Sequence, residues 1–323
     1  MSRNLKGSLM LVVAAIIWGS TFVAQEEAAE FIGSFTLNSL RSFVGALALI
    51  PVVLIFKNGR EKKTGIKEKV ITKQLIFGGI CCGVALSVAA NLQQFGIIFN
   101  AEQTQGDSGK AGFITAMYII FVPILWVFAG KKIRISVILG AIVATFGLYF
   151  ISVKAGFTVS KGDIVLLLCA LAFSFHIMVV DYFVSRVDGV ALSCVQFITV
   201  GIISGALMLV FERDTLSLQN VFSATIPILY CGLLSSGIAY TLQIISQKFC
   251  EPAVASLVMS LESVFAMISA CVFYSIVNGS LKLPTGRETI GCVLMMVAIF
   301  LVETPFADKV FGNLFKKKVK NAD

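Results

Sequence analysis

Long apolar runs separated by short polar segments dominate the sequence. Each run has about 20 residues or more, which is the length that an α-helix needs to cross the hydrocarbon core of a bilayer. Only helices and closed barrels satisfy their backbone polar groups in lipid, and runs of this length are helical rather than alternating strands. The pattern predicts an all-α integral membrane protein with ten transmembrane helices. The predicted spans are 7–25, 34–56, 75–99, 109–130, 133–153, 162–185, 190–211, 221–246, 252–277 and 287–306.

The composition agrees with a membrane location and excludes several classes of protein. Of the 323 residues, 57% are hydrophobic and 14% are charged, whereas soluble domains carry about 25% charged residues. Soluble globular, disordered and fibrous proteins are therefore excluded. The chain has 8 cysteines and 1 histidine, and no two cysteines form a CxxC pair. A Cys/His zinc site is excluded, and we expect no metal and no cofactor.

The net charge of +8 indicates an orientation in the membrane. Cytoplasmic loops carry an excess of lysine and arginine. If both termini lie inside, most of the 26 basic residues fall on the cytoplasmic side, including those of the 57–73 loop. We therefore expect both termini in the cytoplasm, in a bacterial plasma (inner) membrane. The basic tail 307–323 then acts as a topology anchor beside anionic lipid, and no nucleic acid is expected as a partner.

The chain also contains an internal repeat. Residues 6–21 align without gaps on 161–176, and 116–126 align on 256–266. This predicts a first five-helix unit at 1–153 and a second at 159–306. Five is odd, so the second unit enters the membrane from the opposite side and the units are inverted repeats. Chance similarity between apolar helices is the alternative explanation. Inverted repeats that enclose a site at the membrane midplane are a transporter design, which predicts alternating access.

Several short stretches resemble one family of membrane transporters. They are WGSTF at 18–22, LRSF at 40–43, KAGFITAMY at 110–118 with VPI at 122–124, and LESVFA at 261–266. Together they resemble the EamA family of the drug/metabolite transporter superfamily. The resemblance implies transport of a small metabolite, amino acid, nucleoside or drug, along a path lined by the predicted spans 1, 3, 4, 6, 8 and 9. We expect an exporter.

The match to the family pattern has two departures. Ser263 stands where the family usually has proline, and Gly130 and Lys131 stand where an acidic residue often follows the fourth span. These departures concern loop geometry and local helix breaking rather than the fold. The substrate, the coupling ion and the formation of a homo-oligomer stay open.

Charged residues within spans are costly and are functional hypotheses by default. Arg41 lies about 10 Å deep in the second span, at 1.5 Å per residue. The first interpretation is a structural salt bridge with the acidic residues of the neighbouring loop, Glu26, Glu27 and Glu30. The second is that its guanidinium group binds a substrate carboxylate.

Glu262 and His176 are the candidate groups for proton coupling. Glu262 lies near the midplane of the ninth span, where a carboxyl group can carry a proton, attract a cation, or bond a neighbouring helix. His176 lies roughly 20 Å deep in the sixth span. It can titrate near neutral pH and couple transport, or stay neutral as a hydrogen-bonded core residue.

The residues expected to line or control the solute path are polar or aromatic side chains within the spans. They are Trp18, Thr21, Gln94, Lys110, Tyr118, His176, Gln243 and Glu262. Three further charged residues are expected to have structural or gating roles. They are Glu26, Arg41 and Asp181.

Enzyme motifs are present only in part. Residues 106–109 spell GDSG, as around the nucleophilic serine of trypsin-like proteases, but Ser108 lies at the outer mouth of a span, far from His176. The same segment resembles the end of a P-loop, but Ala111 replaces the hydroxyl residue that would bind magnesium. We therefore expect no enzyme. The alternative is a non-transporting membrane enzyme or sensor that uses the helical bundle as a scaffold.

Overall fold

The structure is a computed structural model that describes residues 3–65, 67, 69–104, 108–152, 160–281 and 283–304. It describes the side chains of all of these except 3, 4, 101–104, 108–110, 152 and 278. The basic tail, and residues 106 and 107 of the GDSG motif, lie outside the described residues.

The described residues form helices joined by short connections. The helices are α1 Arg3–Ala29, α2 Ser34–Thr64, α3 Lys73–Thr104, α4 Ser108–Thr115, α5 Tyr118–Phe128, α6 Ile135–Ser152, α7 Lys161–Val184, α8 Gly189–Phe211, α9 Leu218–Ser223, α10 Thr225–Tyr230, the π-helix Cys231–Ala239, α11 Tyr240–Ser246, α12 Pro252–Met259, α13 Glu262–Asn278 and α14 Gly286–Glu303. The all-α architecture expected from the apolar runs is confirmed for this part of the chain.

Within the described ranges, eight helical segments are long and apolar enough to cross a membrane. They are Leu5–Ala29, Ser34–Thr64, Lys73–Asn100, Ala111–Phe128, Lys161–Val184, Gly189–Phe211, Thr225–Ser246 and Pro252–Val277. The other two predicted spans fall on α6, whose apolar part is the shorter segment Ile135–Ile151, and on α14, which includes Arg287, Glu288 and Glu303. The chain is an integral membrane protein.

Three of the segments are not continuous α-helices. Ala116 and Met117 form a turn between α4 and α5, and Ser260 and Leu261 form one between α12 and α13. At each break a backbone hydrogen bond spans three residues instead of the four of an α-helix. These bonds run from Met117 N to Ile114 O at 3.1 Å and from Leu261 N to Val258 O at 3.2 Å. Between α10 and α11 the π-helix widens the backbone, a geometry that is frequent at functional sites. Helix interruptions at membrane depth are typical of transporter binding sites.

The pairs of helices that pack together are related to one another by exchange of the two halves of the chain. The helix α2 packs along α8, and α6 packs along α14. In addition α3 packs on α7 and α8, while the π-helix packs on α1 and α2. Finally α1 packs on α13, and α5 packs on α7. If the predicted spans 1 to 5 are exchanged with 6 to 10, each of these pairs maps onto another pair in the set or onto itself.

The pair formed by α2 and α8 is latched at both ends. At one end, Glu212, which follows α8, accepts hydrogen bonds from Phe35 N at 2.9 Å, Thr36 N at 2.8 Å and Thr36 Oγ1 at 2.7 Å. These bonds satisfy donors in the first turn of α2 that have no partner within the helix. At the other end, Arg60 Nη1 lies 2.8 Å from Asp188 Oδ2, and Asp188 Oδ1 caps α8 by accepting from Ala191 N.

Candidate functional site

A cavity lies where the helices of the two halves of the chain meet. Residues of α1 to α5 line it from the first half, and residues of α7, the π-helix, α11, α12 and α13 line it from the second. The space in the cavity that no atom fills, open solvent included, is about 480 Å³. Every lining side chain is buried, with an exposed fraction of 9% or less. The cavity therefore lies in the interior of the helical bundle.

The two helix breaks bring Tyr118 and Glu262 together at the cavity wall. Each is the first residue of the second half-helix, Tyr118 in α5 and Glu262 in α13. The Tyr118 hydroxyl donates to Glu262 Oε1 at 3.0 Å. A carboxylate is also stabilised at a helix N-terminus by the free backbone N–H groups and the helix dipole. The break thus presents an acidic group to the cavity from within the membrane.

Arg41 of α2 lines the same cavity and has an uncharged hydrogen-bond partner. Its side chain is 5% exposed, and Nη1 donates to Gln25 Oε1 at 3.2 Å. Among the residues that the structure describes, no carboxylate oxygen lies within 4.0 Å of its guanidinium group. The partner is therefore Gln25 rather than Glu26, the acidic residue next to it. Among the described residues the guanidinium group therefore has no ion-pair partner.

Two uncharged polar atoms add to the hydrogen-bonding capacity of the cavity. Trp18 Nε1 and Gln243 Oε1 are buried and have no hydrogen-bond partner among the described residues. One is a donor and the other an acceptor. The Trp18 ring packs edge to face against Tyr240, with centroids 4.8 Å apart. Buried polar atoms normally have a hydrogen-bond partner, so these two atoms are available to a water molecule or a solute that binds in the cavity.

Most of the residues singled out from the sequence lie on this wall. The lining includes Trp18, Thr21, Arg41, Tyr118, Gln243 and Glu262. Two others lie behind it. Gln94 is buried and its Nε2 donates to Gln25 O at 3.3 Å, while the neighbouring Gln93 lines the cavity. His176 is fully buried, with Nε2 2.9 Å from Gln196 Oε1.

The remaining charged candidates are not among the lining residues. Glu26 and Asp181 are half-buried on α1 and α7. The Lys110 side chain lies outside the described side chains. No group of three His, Cys, Asp or Glu side chains that could hold a metal ion occurs in the described part of the chain.

Sequence reasoning missed two glutamines that line the cavity, Gln25 and Gln93. A helical signal for Gln25 exists, because Trp18, Thr21, Phe22 and Gln25 follow the spacing that places residues on one face of a helix. All four of these residues line the cavity. No comparable signal separates Gln93 from Gln94.

We expect Tyr118→Phe to destabilise the protein. The substitution keeps the ring and leaves the buried Glu262 carboxyl group without its described partner, at a cost of about 1–3 kcal/mol. Thermal melting of the purified protein in detergent measures the effect. Tyr149→Phe is the matched control, since Tyr149 is 45% exposed. Equal melting temperatures for the two variants would contradict the assigned hydrogen bond.

Comparison with known proteins identifies relatives over nearly the whole chain. The protein-family model described as "EamA-like transporter family" matches residues 5–153 and 160–304. An "Uncharacterized transporter" of Archaeoglobus fulgidus is 26% identical over 302 residues, covering 93% of this chain and 86% of the relative. The "Uncharacterized transporter YoaV" of Bacillus subtilis is 25% identical over 241 residues, covering 73% of this chain and 77% of the relative.

A solved structure has the same fold. It is titled only "Crystal structure of protein", and it superposes with a TM-score of 0.68 at 17% sequence identity. The superposition covers 92% of this chain and 96% of the solved chain. At this level of identity the likeness concerns the fold alone.

Proposed function

Because the chain belongs to the EamA-like transporter family, we propose that it is a secondary transporter that moves a small solute by alternating access. The observation that carries the proposal is the cavity between the two halves, which is lined by Arg41 and Glu262. Family and relatives agree on membrane transport. The solute, the direction and the mechanism are our proposal. The proposed lining of the path is Trp18, Thr21, Arg41, Tyr118, Gln243 and Glu262.

The proposed mechanism requires two inverted repeats, 1–153 and 159–306, of five spans each. Three observations support them. The family model matches the chain twice, once in each half. The helix pairs map onto one another when the halves are exchanged. The breaks before Tyr118 and Glu262 lie in corresponding spans. In this arrangement α6 and α14 are the fifth and tenth spans.

Alternating access follows if the two halves exchange conformations around the cavity. We propose that the described arrangement is an intermediate between the two open states, and the burial of all lining side chains supports this assignment. The latches at Glu212 and at Arg60 with Asp188 hold opposite ends of the pair formed by α2 and α8. We propose that they lie on opposite faces of the membrane, that both termini are cytoplasmic in a bacterial inner membrane, and that the direction is export.

Proton coupling is assigned in this proposal to Glu262 rather than to His176. Glu262 lines the cavity, whereas His176 lies behind the lining and is hydrogen-bonded to Gln196. Among the described residues no basic nitrogen lies within 4.0 Å of the Glu262 carboxyl group. A carboxyl group without a fixed counter-ion can bind and release a proton as the cavity opens to one side and then to the other.

Flux measurements in proteoliposomes test the transport function. The purified protein is reconstituted, and the uptake and efflux of labelled amino acids, nucleosides and cationic drugs are followed with and without a pH gradient. We expect saturable flux of at least one solute above that of protein-free liposomes, and a larger efflux than influx for a uniformly oriented protein. Absence of flux for every solute, with folded protein, would contradict the function.

A further inference from the structure

An apolar groove lies between α5 and α6, on the outside of the helical bundle. The two helices are consecutive in the chain, but α5 packs on α7 and α12 while α6 packs along α14. The space between them that no atom fills, its open side included, is about 890 Å³. Ile119 and Pro123 are buried at its floor, whereas Ile124 and Ile142 on its walls are about half exposed. The open side of the groove therefore faces the lipid of the membrane.

The lining of the groove suits an acyl chain. Among the described residues that form it, only Thr145 has a polar side chain, and its hydroxyl group donates to Ala141 O at 2.7 Å. The groove runs along residues 119–127 of α5 and 138–146 of α6, which is ~12 Å at 1.5 Å per residue. One leaflet of the hydrocarbon core is about 15 Å thick. The groove is therefore long enough for most of one acyl chain.

The connection between α5 and α6 places two lysines at one end of the groove. Val127 and Ile133 line that end, and the exposed residues Lys131 and Lys132 lie between them in the sequence. Gly130 turns the chain from α5 toward α6 with a φ of 74°, in the left-handed region that glycine adopts without strain. The local backbone thus brings two positive charges to the end of an apolar groove.

The two lysines lie at head-group depth and have no ion-pair partner in the described part of the chain. Lys131 Nζ lies 6.0 Å from the ring centroid of Trp126, and tryptophan is enriched where the hydrocarbon core meets water. The charge of Asp181 on α7 reaches Lys131, but no described carboxylate oxygen lies within 4.0 Å of either lysine. The next basic residue, Arg134, is instead held 3.9 Å from Glu251 Oε2. The two ammonium groups are therefore available to an anion.

From this combination we infer that the groove binds an anionic phospholipid, with one acyl chain between α5 and α6 and its phosphate group at Lys131 and Lys132. Ammonium groups donate charge-assisted hydrogen bonds to phosphate oxygens. Lysines at the membrane surface also attract anionic lipids over a longer range. A zwitterionic phospholipid brings an ammonium group of its own, which the two lysines repel, so it fits less well.

This lipid site is separate from the central cavity. No described residue lines both the groove and the cavity. The two sites share α5, whose first residue, Tyr118, lines the cavity, while the next residue, Ile119, lines the groove. The inference goes beyond the proposed transport function and does not depend on which solute the protein moves.

Native mass spectrometry tests the lipid site, because each bound lipid adds a discrete mass. The full-length protein is delipidated in detergent and titrated with phosphatidylglycerol and with phosphatidylethanolamine of the same acyl chains. We expect the first phosphatidylglycerol to bind at least ~10-fold more tightly, since each lysine near the membrane surface contributes about 5-fold to the attraction of an anionic lipid. Equal affinities, or a mass of two chains without lipid, would overturn the inference.

Charge variants test the position of the phosphate group. Lys131→Gln combined with Lys132→Gln should weaken the binding of phosphatidylglycerol by ~25-fold, at about 5-fold for each lysine, and leave phosphatidylethanolamine largely unchanged. Lys62→Gln combined with Lys63→Gln is the matched control, because these are neighbouring exposed lysines in the last turn of α2. An equal loss in both double variants would show that net charge alone attracts the lipid, and the inference would fail.

A variant of the groove tests the position of the acyl chain. Ile142→Trp enlarges a side chain on the wall, where Ile142 is 50% exposed. It should weaken the binding of both lipids and keep the preference for phosphatidylglycerol. Ile202→Trp is the matched control on α8, at a residue that is 59% exposed and outside the groove. Unchanged lipid binding in Ile142→Trp would place the acyl chain elsewhere and overturn the inference.

Discussion

Replacing Glu262 by glutamine is expected to abolish solute accumulation driven by a pH gradient, because the proposed proton-binding group is removed. Glutamine has nearly the same shape and can still accept from Tyr118, whose hydroxyl lies 3.0 Å away. It cannot release a proton. The measurement is uptake into proteoliposomes at several imposed pH gradients, together with solute exchange at equal pH on both sides, which should persist.

The neighbours of Glu262 decide how this result is interpreted. The titratable and charged groups that face it are Tyr118 of α5, Arg41 of α2, Tyr240 of α11 and Cys169 of α7. Glu251→Gln is a matched control, because it removes a carboxyl group at an exposed position just before α12. Accumulation that keeps its full pH dependence in Glu262→Gln would show that another group carries the proton.

Adding a methyl group at Gly291 is expected to separate α6 from α14 and to lower the free energy of unfolding by about 1–3 kcal/mol, as overpacking does in closely packed interiors. A Cβ atom on Gly291 would lie 2.6 Å from Gly147 O and 2.8 Å from Ile151 N. Both are backbone atoms, which no change of side-chain rotamer can move. Small residues at membrane helix contacts permit this close approach.

The same helix offers a control for this substitution. Gly286 is the first residue of α14, and a Cβ atom there would meet no atom within 4 Å. Gly286→Ala should therefore melt at the temperature of the parent protein, while Gly291→Ala melts lower. Melting followed by tryptophan fluorescence in detergent measures both. If Gly291→Ala melts with the parent, the two helices are not in backbone contact.

The class of the protein and part of the cavity wall could be predicted without coordinates. Apolar runs of bilayer length predict membrane helices because the cost of exposing peptide groups to lipid depends on the local segment alone. Charged residues within such runs are few, and two of those singled out, Arg41 and Glu262, line the cavity together with four uncharged candidates. Rarity narrows the choice of site residues in a membrane protein.

The partners of those residues could not be predicted in the same way. Gln25 and Glu26 are adjacent in sequence, and adjacent residues point about 100° apart around a helix of 3.6 residues per turn. The helix α1 is apolar over most of its surface, so the shared face of Trp18, Thr21 and Gln25 does not show which helix that face contacts. Only the structure shows that Arg41 bonds to Gln25 rather than to an acidic neighbour of Gln25. For the same reason the sequence does not decide which of the two neighbours on α3, Gln93 or Gln94, lines the cavity, and the structure shows that it is Gln93.

The sequence by itself determined that the chain is a helical membrane protein with the motifs of a transporter family, because hydrophobic length and short motifs are local properties. Only the tertiary structure decided that the breaks before Tyr118 and Glu262 meet, and that Arg41 lines the same cavity. These features depend on how helices that are distant in sequence rotate and cross. The sequence makes Glu262 a candidate site residue, and the packing of distant helices adds that a second charged residue, Arg41, lines the same cavity.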